Sequence, residues 1–94
     1  MEISEIIWLD TFVEKLWRKH HVRIDEVEEV LYGQPQVRRV KRGDVAGEDV
    51  YSAKGQTRGG RYVIAFFVLK AGRRALVISA RDMKPKEHRQ YVKK

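Results

Sequence analysis

Two arginines stand out because of where they fall along the chain. Arg81 ends the run Val77-Ile78-Ser79-Ala80-Arg81, and Arg61 opens the run from Arg61 to Leu69. Both runs read as strands. If they pair as a hairpin, the start of one lies beside the end of the other. The reading therefore predicts both guanidinium groups at one edge of a sheet. Two such groups converging on one spot repel unless an anion lies between them, and a phosphodiester suits the planar fork. The alternative is that each arginine pairs with a carboxylate such as Glu48, Asp82 or Glu87. Tyr51, Glu87, His88 and Tyr91 are candidate proton-transfer groups near that edge. Glu87 and Tyr91 are four apart and share a helical face. Tyr91 reads equally as a half-buried packing aromatic, and His88 as a solvent-exposed helix residue.

Other chemistries find little support. There is no cysteine, which removes disulfides, thiolate metal sites and a cysteine nucleophile. His20 and His21 are adjacent, so on a helix they diverge by about 100°. No His-Glu-x-x-His spacing and no Gly-x-x-x-x-Gly-Lys loop occurs. No metal and no cofactor are expected.

The elements that would position these residues follow from periodicity. Ile6-Ile7-Trp8 reads as a first strand or a lead-in. Asp10 suits an N-cap. Phe12, Val13, Leu16 and Trp17 follow at helical spacing, ending near His20 or His21. A second helix is expected from about Asp25 to Tyr32, with Ile24, Val27, Val30 and Leu31 as its buried stripe. Gly33 reads as a left-handed stop, and Pro35 confirms the end. Strands are expected over Val37–Lys41, Asp49–Gln56, Arg61–Leu69 and Ala75–Ala80. The turns between them fall at Arg42-Gly43-Asp44 with Ala46-Gly47, at Thr57–Gly60 and at Lys70–Arg73. The near-continuous run Val63 to Val68 marks a central strand buried on both faces. Pro85 suits the first turn of a closing helix, which either starts loosely behind Lys84, a poor N-cap, or takes its cap from Asp82. The sum is a single domain over residues 1–94 of α+β class. Two helices pack on one face of a three- to four-stranded antiparallel sheet, and a short helix closes the chain.

Hydrophobic residues make up 43% of the 94 residues, enough for one compact core. The net charge of +7 hides a polarity along the chain. Residues 1–32 carry eight acids and four bases, a net of −4, whereas residues 33–94 carry sixteen bases and five acids, a net of +11. The basic part suits a polyanion or an acidic protein partner. Both early helices are too acidic to serve as a DNA recognition helix, so no direct DNA binding is expected. The acidic start, Met1-Glu2-Ile3-Ser4-Glu5, lacks the basic head of a secretory signal. The apolar run Tyr62–Leu69 is too short to span a bilayer. A cytoplasmic protein without membrane contact is expected.

Several motifs together resemble the BrnT-like toxins of type II toxin–antitoxin systems. They are Trp8 and Asp10, Lys19-His20 with Val22, the Glu-Val-Glu-Glu-Val-Leu run at 26–31, Gly47-Glu48-Asp49-Val50-Tyr51, Gly55, Gly60-Arg61, Ile78-Ser79-Ala80-Arg81, Glu87 and Tyr91. The Ile-Ser-Ala-Arg segment followed by Glu and Tyr is the most specific. The resemblance implies a small RelE-like α+β fold, metal-independent cleavage of mRNA that arrests translation, and a cognate antitoxin as partner. The motif-matching positions are Lys19, His20, Glu48, Arg61, Arg81, Glu87 and Tyr91. For cleavage by the RNA's own 2′-hydroxyl, Arg61 and Arg81 would stabilise the phosphate. Glu48 or Glu87 would accept a proton, and Tyr91 or His20 would donate one. Lys19, Lys54 and Arg58 would hold the RNA. The competing reading is a catalytically degenerate basic module that binds RNA or an antitoxin. This chain departs from the family pattern at His21, where glycine is usual, and at Arg23 and Lys84, where capping Ser or Thr is usual. Each lost cap is expected to cost about 1 kcal/mol.

Overall fold

The computed structural model describes residues 1–43 and 48–93. The elements run β1 (Glu5–Ile7), α1 (Asp10–His20), α2 (Ile24–Tyr32), β2 (Gln36–Lys41), β3 (Val50–Gln56), β4 (Tyr62–Lys70), β5 (Arg74–Asp82) and α3 (Pro85–Lys93). The expected turn residues Asp44, Ala46 and Gly47 lie outside the described residues.

The sheet has five strands in the order β1-β5-β4-β3-β2, and it is mixed rather than wholly antiparallel. β2 to β5 form the expected meander. Ile6 and Ile7 add a fifth strand parallel to β5, opposite Ala75 and Leu76. A run of three residues is too short to show period-two alternation, so its pairing could not be read from sequence.

β4 is central, with Val63, Ile64 and Ala65 at 0–3% exposure, as a strand covered on both faces must be. Alternation sends Val63, Ala65 and Phe67 to one face, where Leu16 of α1 and Val27, Val30 and Leu31 of α2 complete the core. Tyr62, Ile64 and Phe66 turn to the other face, which α3 partly covers. Gly55 brings α2 close to β3, since a Cβ there would lie 3.0 Å from Val30 Cγ1.

The β4–β5 register contains a bulge. Lys70 to Phe67 face Arg74 to Val77, but Phe66 faces Ser79, leaving Ile78 as an extra residue. A one-residue insertion reverses the face of every later side chain on that strand.

Several local expectations need correction. Asp10 is the first helical residue, and Leu9 is the N-cap, with no side-chain cap bond. Trp17 is 54% exposed, with its ring edge-on to that of His21. Ile24, in the first turn of α2, is 38% exposed, and its place in the buried set is taken by Glu26. Gly33 is not left-handed (φ −79°). It is needed because a Cβ there would sit 2.9 Å from the Glu29 carbonyl oxygen.

Both unconventional caps are solved in the same way. The Glu26 carboxylate accepts the backbone N–H of Arg23 at 3.0 Å, and Glu87 accepts that of Lys84 at 2.7 Å. Each is the reaching-back half of a capping box, supplied by the third helical residue. Asp82 does not cap α3, because Arg61 engages it.

Candidate nucleic-acid interface

Arg61 precedes β4 in phase with Val63, so its side chain lies on the face of α1 and α2. Nε donates to Asp82 at 2.6 Å. Nη1 donates to the His21 carbonyl at 2.8 Å and to Glu26 at 3.1 Å, and Nη2 to the His20 carbonyl at 2.9 Å. Four of its five N–H groups are thereby used. Two go to carbonyls at the end of α1 that no helical N–H can reach. The hydrogen bond from Arg61 holds the Asp82 carboxyl below its usual range. Arg61 is a clamp joining α1, α2 and the sheet.

Arg81 stands opposite Ile64 on the other face. Without the extra Ile78, it would face Val63 and share the face of Arg61. The bulge therefore separates the two guanidiniums, and the expected shared notch does not exist. The carboxylate alternative holds for both. Arg81 grips Glu87 with two bonds, at 2.7 and 3.0 Å, and Nη1 also donates to the Asp82 carbonyl at 3.1 Å. Its guanidinium carbon lies 5.4 Å from the Phe66 ring centroid. Nε–H and one Nη2 hydrogen have no partner among the described residues.

Glu87 is pulled down to about 2, first by its hydrogen bonds from Arg81, with the Lys84 N–H adding to the effect. It stays a carboxylate at neutral pH and is a weak proton acceptor, so the base role expected of it does not fit. Tyr91 stands on the inner side of α3, edge-on to Tyr62 with centroids 6.0 Å apart. Its carbonyl accepts a bond from Gln36 at 2.9 Å. His88 is half-buried rather than exposed. Its ring packs on Tyr62 at 4.2 Å, and its Nε2 is buried without a partner among the described residues.

The remaining expected residues scatter. Glu48 pairs with Lys70 at 3.2 Å, beyond the end of β3 away from Arg81. The stretch from Val50 to Lys54 alone spans about 13 Å of strand. His20 sits at the end of α1 near Asp82, whose carboxyl its charge helps to lower, on the Arg61 side. Lys19 is exposed on the last turn of α1. Arg58 lies in the β3–β4 turn, where its N–H reaches Glu29 at 3.0 Å. It borders a recess with Asp25 and Glu28, an acidic setting unfit for RNA. Lys54 alone of the three RNA-binding candidates shares the Arg81 face, where it donates to Gln90 at 3.3 Å.

The structure adds residues that the sequence reading passed over. Register places Arg38 opposite Ser52, diagonal to Lys54. A cavity of about 380 Å³ lies there, lined by Arg38, Ser52, Lys54, Phe66, Glu87 and Gln90 among others. The arginine-rich strand was legible, and its alternation was the signal that could have separated Arg38 from Arg39. Arg39 pairs with Asp49 at 3.4 Å. A cavity of about 660 Å³ is bounded by residues 1–3 and 31–35 and has Glu2 as its one charged side chain. Among the described residues, no group of three or more His, Asp or Glu could hold a metal ion. Among the same residues, no helix is long and apolar enough to cross a membrane.

The fold is shared with a solved ribonuclease toxin, BrnT of Brucella abortus. The two are 22% identical in sequence with a TM-score of 0.66, covering 85% of this chain and 96% of that one. The family model described as the ribonuclease toxin BrnT of type II toxin–antitoxin systems matches residues 8–87. The chain therefore belongs to the BrnT toxin family. No curated protein sequence matches it.

Proposed function

We propose that the protein is a ribonuclease toxin that cleaves mRNA without a metal and so arrests translation in the cytoplasm, and that a cognate antitoxin neutralises it. The observation that carries this reading is the basic recess on the α3 face. There Arg81, with two unused donors, lies over Phe66 and grips Glu87, both of which line the recess with Lys54 and Arg38. Arg81 would hold the scissile phosphate and stabilise the charge that grows on it as the 2′-hydroxyl attacks. Lys54 and Arg38 would hold flanking phosphates. Tyr91 is kept as a hydrogen-bonding group at the leaving side. The RelE-like character belongs to the same reading.

Arg61, His20 and Glu48 have no contact with this recess and take no part in the chemistry. A specific observation favours the second reading, a module that binds without cleaving: the Arg81 fork is filled by Glu87. Incubating a long single-stranded RNA with purified protein in EDTA separates the two. Cleavage abolished in Arg81→Ala supports the nuclease. Intact RNA that is nevertheless bound supports the binding module.

A further inference from the structure

The helix that covers the recess is more basic than its docking requires. Glu87, His88 and Tyr91 face inward, to Arg81 and Tyr62. At 100° per residue, Gln90, Lys86, Lys93 and Arg89 follow one another around the flank that leads away from Lys54. Gln90 joins the two surfaces. It lines the recess with Arg38 and Lys54, and it lines an outer groove of about 620 Å³ with Lys86, Arg89, Val92 and Lys93.

Arg38, Lys54, Lys86, Arg89 and Lys93 make no ion pair among the described residues. The one acid of α3, Glu87, is spent inward on Arg81. Lys86 with Arg89 and Arg89 with Lys93 are like charges three and four apart, a spacing that weakens an isolated helix. An anion laid along the flank would relieve that repulsion. The helix is about 13 Å long, so only an extended polyanion would engage the recess and the whole flank together.

We propose that this flank of α3 is a track for the ribose–phosphate backbone of single-stranded RNA. Lys86, Arg89 and Lys93 are its contacts, carrying the strand away from the recess. The proposal rests on the RNA reading above. An acidic protein segment is the other polyanion of suitable charge, but a discrete phosphate chain better fits cations continuous with the Arg81 recess.

The test uses a single-stranded oligonucleotide made uncleavable by 2′-O-methylation, with its affinity followed across salt concentrations. The triple variant Lys86→Gln/Arg89→Gln/Lys93→Gln is compared with the wild type and with Lys15→Gln on α1. Each lost phosphate contact removes about 0.7 from the slope of log K against log salt for single strands, so the triple variant should lose about 2. Its affinity should fall by at least about tenfold, with an unchanged thermal transition. Lys15→Gln should keep the full slope. An unchanged slope in the triple variant overturns the track even if the wild type binds and cleaves RNA. So does an unchanged RNA slope with lost binding to a poly-glutamate peptide, which would assign the flank to an acidic partner. A wild type that neither binds nor cleaves RNA removes the proposed function itself.

Discussion

Arg61 and Arg81 are built into the molecule by the same device and put to different ends. Each grips a glutamate in the first turn of a helix, and that glutamate also accepts the backbone N–H at the helix start. Their side chains are similarly exposed, at 26% and 24%. The difference lies in what remains. Arg61 is bound by two carboxylates and two helix-end carbonyls that hold three elements together. Arg81 is bound by one carboxylate and one carbonyl at the rim of a basic recess. One guanidinium is consumed by the fold, and the other keeps donors to offer. Position in a motif therefore does not tell a structural arginine from a binding one. The inventory of its N–H groups does.

The sharpest way to break this comparison is to remove each arginine in turn. Arg81→Ala should reduce RNA cleavage by about 100-fold or more, the typical loss when one preorganised donor to a developing anion is deleted. Arg61→Ala should instead cost about 3 kcal/mol of stability, because it strands Glu26 and the ends of α1 together. That corresponds to a fall in Tm of roughly 10–20 °C. If the two variants exchanged these phenotypes, the assignments would be reversed.

Acid should act on both pairs. The Glu87 carboxyl titrates at about 2 in the fold rather than 4.5, and that of Asp82 is also lowered. A lowered folded pKa gives stability that is complete above the unfolded value and is lost as the pH falls through the folded one. Tm should therefore drop between about pH 5 and pH 2. Glu87→Gln should flatten part of that drop, by about 1 kcal/mol after solvent screening. An acid limb identical to that of the wild type would count against the Arg81–Glu87 pair. The smallest effect concerns the cap. Lys84→Ser would complete the capping box that Glu87 already half supplies, raising stability by about 0.5–1 kcal/mol in thermal melts.

Much of the fold was legible because it follows from local periodicity. The run Val63–Val68 announced a central strand, and the Val27–Leu31 stripe announced a buried helix face. The candidate site was less so. Both arginines and their carboxylate alternatives were found by type, but their shared edge depended on register, which a single extra residue reverses. Ile78 looks like any other strand residue in sequence, and only the pairing of Phe66 with Ser79 reveals the bulge. The parallel β1 was hidden for a related reason, since its partner lies at the far end of the chain. Glu26 stood outside the expected apolar stripe of α2, and its burial depends on Arg61, a partner 35 residues away. The missing caps at Arg23 and Lys84 looked like losses because the compensating carboxylates sit three residues later.

The central claim is that the chemistry belongs to the Arg81 face and not to Arg61. The most direct measurement is the cleavage rate of a long single-stranded RNA in EDTA, taken well below the melting temperature of each variant, for Arg81→Ala and Arg61→Ala side by side. The account predicts that folded Arg61→Ala cuts at close to the wild-type rate while Arg81→Ala, equally folded, loses cleavage. Full activity in Arg81→Ala, with loss confined to folded Arg61→Ala, would contradict it.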